Sequence, residues 1–175
     1  MSALVISAFP ACGKSFYYNT HSNYAGGCYK ANGSNILDSD SSQFSWIYNE
    51  DGTKERNPEF PANYIQHIKE NLDRQDIIFV SSHKQVRGAL YNAKIKFALV
   101  YPTYSMKDVW KQRILNRGSS EEFCKLIMDN WDEWVADCMH DELASSGYIL
   151  TEEHPYLNEF VVERVRCFMR CQGYV

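Results

Sequence analysis

Residues 8–15 read Ala-Phe-Pro-Ala-Cys-Gly-Lys-Ser, a spacing suited to capturing a polyphosphate. Successive backbone N–H groups can form a concave nest around a phosphate, and a helix starting there adds partial positive charge. In the pattern GxxxxGK[ST], glycine allows close backbone approach, lysine reaches the terminal phosphates and the hydroxyl ligates magnesium. Gly13, Lys14, Ser15 and the four-residue spacer fit; Ala8 stands where the first glycine belongs. If that position needs a positive φ, its methyl group carries a cost. Nucleotide contacts are therefore expected from Ala11, Cys12, Gly13, Lys14, Ser15 and Phe16.

A second chemical signal is Asp38-Ser39-Asp40. Carboxylates at a strand end can share a crevice with a loop on a neighbouring strand. One of them can orient a hydroxyl and take its proton. The same residues also suit a solvated turn.

The elements that must position these groups follow from apolar spacing. Leu4-Val5-Ile6 is a buried strand running into the loop, and a helix is expected from Ser15 to about His21. The Ser-, Asn- and Gly-rich stretch 22–35 suggests a turn or loop, before a short strand ending at Leu37. Residues 45–56 mix aromatics and charges without a clean period. Tyr64, Ile65, Ile68 and Leu72 make the stripe of a helix, and Ile77–Val80 and Phe97–Val100 read as strands covered on both faces. Helices are expected over 105–117, 120–140 and 156–170, with a short strand at Tyr148–Leu150. Trp131 and Trp134 fall at packing positions of the 120–140 helix. Alternating strands and helices predict an α/β/α sandwich with a mostly parallel five-stranded sheet, in one domain over 1–175.

With loop and acidic pair in place, the sequence resembles the small P-loop kinases, the nucleoside monophosphate kinase-like group together with shikimate and gluconate kinases. The likeness covers element order over most of the chain; only the loop and Asp38/Asp40 match residue by residue. More loosely, it looks like P-loop ATP-binding proteins of phages and bacteria with the same Asp-Ser-Asp and Val-Ser-Ser-His signatures. The resemblance implies a P-loop NTPase-type sheet of order 2-3-1-4-5, with ATP and Mg²⁺ as cofactors. One carboxylate would approach the metal beside Ser15 and the other would hold and deprotonate the acceptor. No acid ends the third apolar strand, Val80-Ser81-Ser82-His83, so Asp38 is assigned to the metal and Asp40 to the acceptor, a division the residues alone leave open.

By the same resemblance an acceptor-binding segment spans about 41–75, with Arg56 offered to a phosphate and Phe44, Trp46 and Tyr48 to stacking or to core packing. His83 either binds an acceptor anion or caps the next helix, and Arg87 is expected to bind substrate. A lid over about 105–122 would carry Arg113 and Arg117 to the transferring phosphate, with Gly118 as hinge. Thr151–His154 would lie beside the adenine.

Composition narrows the partners. A net charge of −4 argues against a duplex-DNA binder, although a basic cleft remains compatible with it. The N-terminal apolar stretch is too short for a secretory signal and no run approaches a membrane span. The six cysteines form no CxxC pair, so reduced thiols and a cytoplasmic location are expected, with Cys167 and Cys171 on a half-buried helix face. The resulting expectation is an ATP-dependent phosphotransferase acting on a small acceptor, a nucleotide or nucleoside monophosphate first. The alternatives are a hydroxyl on a metabolite or on DNA, and a nucleotide-binding switch without an acceptor.

Overall fold

The computed structural model describes residues 2–23 and 33–175. Most of the expected 22–35 loop, Cys28 included, lies outside the described residues. Strand β1, Leu4–Ala8, is buried at every position. A five-residue apolar run cannot make a stable helix but can be covered on both sides, each large side chain then contributing roughly 1.5–3 kcal/mol. Helix α1, Lys14–His21, follows the loop, and β2, Ile36–Asp38, ends on the first acid.

The periodless stretch is a one-turn helix, α2 (Ser42–Ser45), and an antiparallel hairpin of β3 (Trp46–Tyr48) and β4 (Lys54–Arg56). Its turn is built at Asp51-Gly52: Gly52 takes φ 82°, and the Asp51 carboxylate accepts from Thr53 N and Oγ1. Helix α3 (Ala62–Asn71), strand β5 (Ile77–Ser81), helix α4 (Lys84–Asn92) and strand β6 (Phe97–Pro102) then alternate. After a 3₁₀ turn at Tyr104–Met106 come α5 (Lys107–Asn116), α6 (Glu121–Asp129), α7 (Trp131–Met139), β7 (Ser146–Leu150) and α8 (Glu159–Cys171).

The main sheet runs β2-β5-β1-β6-β7, with every pairing parallel. This numbering differs from the expected 2-3-1-4-5 because β3 and β4 form a sheet of their own. With those two set aside, the sheet holds the chain's second, third, first, fourth and fifth strands in that order. β1, β5 and β6 are buried on both faces, which is compatible with a three-layer sandwich. The edge strand β7 alternates covered and exposed positions.

Two helices were expected to be longer. The 120–140 helix breaks at Asn130, whose φ and ψ are −102° and 7° and whose side chain donates back to the Leu126 carbonyl at 2.8 Å. The break turns Trp131 into a buried cluster with Phe9 and Trp110, centroids 5.6 and 5.9 Å away. The final helix begins at Glu159 rather than 156, because Asn158 caps it by accepting from Val161 N at 2.9 Å. That leaves Tyr156–Asn158 as a strap outside the helix. Cys167 and Cys171 lie on the exposed face of α8, correcting the half-buried reading. Among the described residues no helix is long and apolar enough to cross a membrane.

Candidate functional site

The loop between β1 and α1 is anchored from below. Phe9 is buried, its N–H donates to Val100 O at 2.9 Å, and Trp110 Nε1 donates to Pro10 O at 2.7 Å. The left-handed conformations fall at Ala11 (φ 61°) and Gly13 (φ 104°). Ala8 is instead the buried last residue of β1, so its methyl group sits in an ordinary strand and the cost expected there does not arise. Gly13 is needed for its φ rather than for space, since a Cβ would meet Leu157 backbone atoms only at 3.7 Å. As the N-cap of α1 it places no side chain over the first N–H groups, which lack intrahelical partners. Lys14 folds back over the loop and donates from Nζ to Ala8 O at 2.9 Å. Burial pushes the Cys12 thiol up, so it is a neutral packing group beneath the loop.

The acidic segment is pinned from three sides. Ser15 Oγ donates to Asp38 Oδ2 at 2.6 Å, Ser39 N to Phe79 O at 2.9 Å, and Tyr64 OH to Ser39 O at 2.8 Å. Burial pushes the Tyr64 phenol up to about 12, which keeps it a donor at neutral pH. Asp40 is exposed, and its carboxylate accepts from Ser42 N at 2.9 Å and Ser42 Oγ at 2.8 Å. It thus belongs to a turn, while lone pairs on both oxygens remain available to the cleft.

Two cavities meet over Ala11, Lys14, Ser15 and Arg117. The larger, about 1090 Å³, lies between α1, the C-terminal half of α5 and residues 156–160. Phe16, 72% exposed, lines it together with Tyr156 and Phe160. The other, about 570 Å³, is bounded by the loop, Asp38–Ser42, Ser81 and the 117–123 corner. Sequence reasoning missed Tyr156 and Phe160 and placed Thr151–His154 at the base instead. Those four residues do not line the larger cavity; the strap just beyond them does, held by Leu157 N donating to Cys12 O at 2.9 Å. The aromatic after Pro155 was the available signal.

Arg113 and Arg117 project from one helix face as expected, but only Arg117 reaches both cavities. Arg113 stacks between Trp110 and Tyr156, 4.0 and 3.9 Å from the ring centroids, and donates to Pro155 O at 2.9 Å. This places it in the larger cavity and away from the one bounded by Asp38 and Asp40, where the expected role would put it. Its Nε and Nη2 have no acceptor among the described residues, and partial burial lowers its pKa. Arg117 donates from Nε to Ser119 Oγ at 2.6 Å, beside Gly118 at φ 77°. The expected lid over 105–122 is anchored by buried Trp110 and Ile114, so only its last turn and the following corner project over the cleft.

The acceptor-side basic residues depart furthest from expectation. Arg87 is 1% exposed and pairs with both Asp137 and Asp141, while its Nε donates to Ser82 O at 2.9 Å. A guanidinium so engaged cannot hold a substrate, which removes Arg87 from the site. His83 caps α4, its Nδ1 accepting from Gln85 N at 3.3 Å, so of its two expected roles the structural one is observed. Partial burial, then the Arg56 and Arg87 charges, lower its pKa and keep that nitrogen an acceptor. Arg56 lies over Trp46 at 4.2 Å on the exposed hairpin, clear of both cavities. Phe44 packs on Tyr64 at 5.1 Å, the core reading of that aromatic. Trp131 packs as expected, and half-buried Trp134 packs against the same core while also lining a third cavity of about 330 Å³ that continues from Ser81 and Phe123.

If the larger cavity takes a nucleotide base, Tyr156→Ala removes a stacking face and raises the ATP Kd about 5- to 150-fold, as read by calorimetry. Among the described residues no cluster of three or more His, Cys, Asp or Glu side chains could cage a metal. Ser15 and Asp38 nevertheless offer adjacent oxygens, and magnesium is ordinarily held by one or two protein oxygens plus phosphates and water. No protein-family model matches this chain, and no curated protein is significantly similar to it.

Proposed function

We propose that this chain transfers the γ-phosphate of ATP to a small acceptor seated beside Asp40. The observation that carries the reading is the 2.6 Å bond from Ser15 Oγ to Asp38 Oδ2, which ties the loop after β1 to a carboxylate at the end of β2, with β5 between the two strands. Nest amides with a lysine on one side and acids on the other suit transfer between two bound molecules.

ATP would lay its base in the aromatic cavity beside Arg113 and Tyr156 and its phosphates along Gly13–Ser15. Ser15 and Asp38 would hold Mg²⁺, which when bound supplies charge neutralisation on the β- and γ-phosphates. Lys14 leaves Ala8 O to meet the same oxygens, and Arg117, lining both cavities, balances charge that develops on the transferring group. For a hydroxyl acceptor, its oxygen bonds to the γ-phosphorus as the bond from that phosphorus to the β–γ bridging oxygen breaks. The bridging electrons stay on ADP and the hydroxyl proton passes to Asp40.

Asp40→Asn keeps the Ser42 turn nearly isosteric but removes the proton acceptor, so kcat falls by about 10²–10⁴-fold with ATP affinity unchanged. Transfer of label from [γ-³²P]ATP, with calorimetry of ATP binding, measures both. A nucleotide-binding switch predicts the opposite: slow hydrolysis that is the same in wild type and variant, with no labelled acceptor.

A further inference from the structure

Resting on that transfer reading, we propose that the acceptor is an uncharged polyhydroxyl compound rather than a phosphate-bearing one. The acceptor-side cavity is lined by the hydroxyls of Ser39, Ser41, Ser42, Ser81, Ser119 and Ser120 and by the carboxylates of Asp38 and Asp40. Among the described residues its cations are Lys14 and Arg117, and both also line the nucleotide cavity. Both are therefore engaged by the donor's own phosphates. Arg87, the residue best placed in sequence to hold an acceptor anion, is saturated by Asp137 and Asp141. A phosphate monoester entering this cavity would put a dianion among two acids with no cation of the cavity reserved for it, and Lys84, on the adjoining recess, is already paired with Asp137.

Ser39 supplies the independent observation. It is 4% exposed and lines this cavity, and its Oγ stands beside the Tyr64 hydroxyl, which already donates to the Ser39 carbonyl, with no other partner among the described residues. Its backbone cannot withdraw, because Phe79 O and Tyr64 OH hold its N–H and carbonyl. A buried hydroxyl with incomplete bonding is unfavourable, and a substrate oxygen placed against it can complete the set. A neighbouring pair of hydroxyls on one substrate fits: one donates to Asp40 and reacts, the next exchanges a bond with Ser39 Oγ. In the reaction the acceptor oxygen gains the γ-phosphorus, ADP leaves with the bridging electrons, and Asp40 takes the proton. A free sugar alcohol and the ribose of a nucleoside share this chemistry. The aromatic recess at Phe123 and Trp134, which opens from Ser81, has room for a base in the second case.

The test is label transfer from [γ-³²P]ATP by the full chain to ribose, xylitol, uridine and adenosine, each run beside ribose 5-phosphate, UMP and AMP. The expected result is label on an uncharged compound, with its phosphorylated counterpart worse by about tenfold or more in kcat/KM. Label on nucleosides alone identifies ribose with a base; label on ribose or xylitol identifies a free polyol. Ser39→Ala should raise the acceptor KM about 3- to 10-fold while the calorimetric ATP Kd and the thermal midpoint stay put. Preference for the phosphorylated counterparts, or an unchanged acceptor KM in Ser39→Ala, overturns the proposal. So does ATP binding with no label on any uncharged compound, which leaves the nucleotide site standing. Absence of heat with magnesium ATP removes the transfer reading itself, and this inference with it.

Discussion

Arg87→Met is expected to destabilise the fold by about 3–5 kcal/mol, the cost of breaking the buried Arg87–Asp141 pair by removing its cation. Two acids depend on this side chain, and Asp141 is itself 5% exposed at the side chain. Asp137 is shared with the exposed Lys84 at 2.6 Å, so the larger loss is at Asp141. Asp141 also accepts from Leu143 N and Ala144 N at 3.0 and 2.7 Å, so the pair holds the turn that leads into β7. Urea unfolding checks the magnitude. Arg87→Lys should recover only part of it, because one ammonium cannot span both carboxylates and the Ser82 carbonyl together. The same variants discriminate between roles: a substrate-binding arginine would raise the acceptor KM at unchanged stability, whereas the ion-pair arginine lowers stability with the KM of the surviving folded fraction unchanged.

Lys14→Met is expected to lower kcat by about 10²–10³-fold, the usual consequence of deleting one donor aimed at transition-state charge. Its Nζ donates to the carbonyls of Ala8 and Phe9, at 2.9 and 3.5 Å, and among the described residues it pairs with no carboxylate. Stability should therefore change little, in contrast with Arg87→Met. Steady-state label transfer together with thermal unfolding separates the two: activity without a stability cost at Lys14, stability without a binding cost at Arg87. Retained transfer in Lys14→Met would end the phosphate-loop reading.

Several features were legible in residue order because they rest on local chemistry. A short apolar run followed by Gly-Lys-Ser can scarcely be anything but a buried strand, a tight turn and a helix start. The paired acids were legible as a strand end because Ser and Asp follow Ile36-Leu37. The β3–β4 hairpin was not read, because three-residue strands of mixed aromatic and charged residues leave no period, and the Asp51-Gly52 signal between them went unused. The Asn130 break was equally hidden, since Trp131 and Trp134 keep helical spacing through it. The Asn130 side chain bonding back to Leu126 O and the buried contact of Trp131 with Phe9 and Trp110 together explain why the chain turns there.

The amino-acid order by itself determined a parallel α/β frame, the tight loop between the first strand and a helix starting at Lys14 and Ser15, and Asp38 at a strand end. Backbone propensity and apolar periodicity act over a few residues, so they survive without knowledge of neighbours. Tertiary structure alone decided which charges are free. Arg87, Arg113 and Arg117 look alike as sequence, yet one neutralises a buried and a half-buried acid, one stacks between aromatics, and one faces both cavities. The difference lies in partners from distant segments, Asp137 and Asp141, Tyr156, and the loop itself, because the worth of a charge depends on its solvation and on what stands within a few ångströms of it.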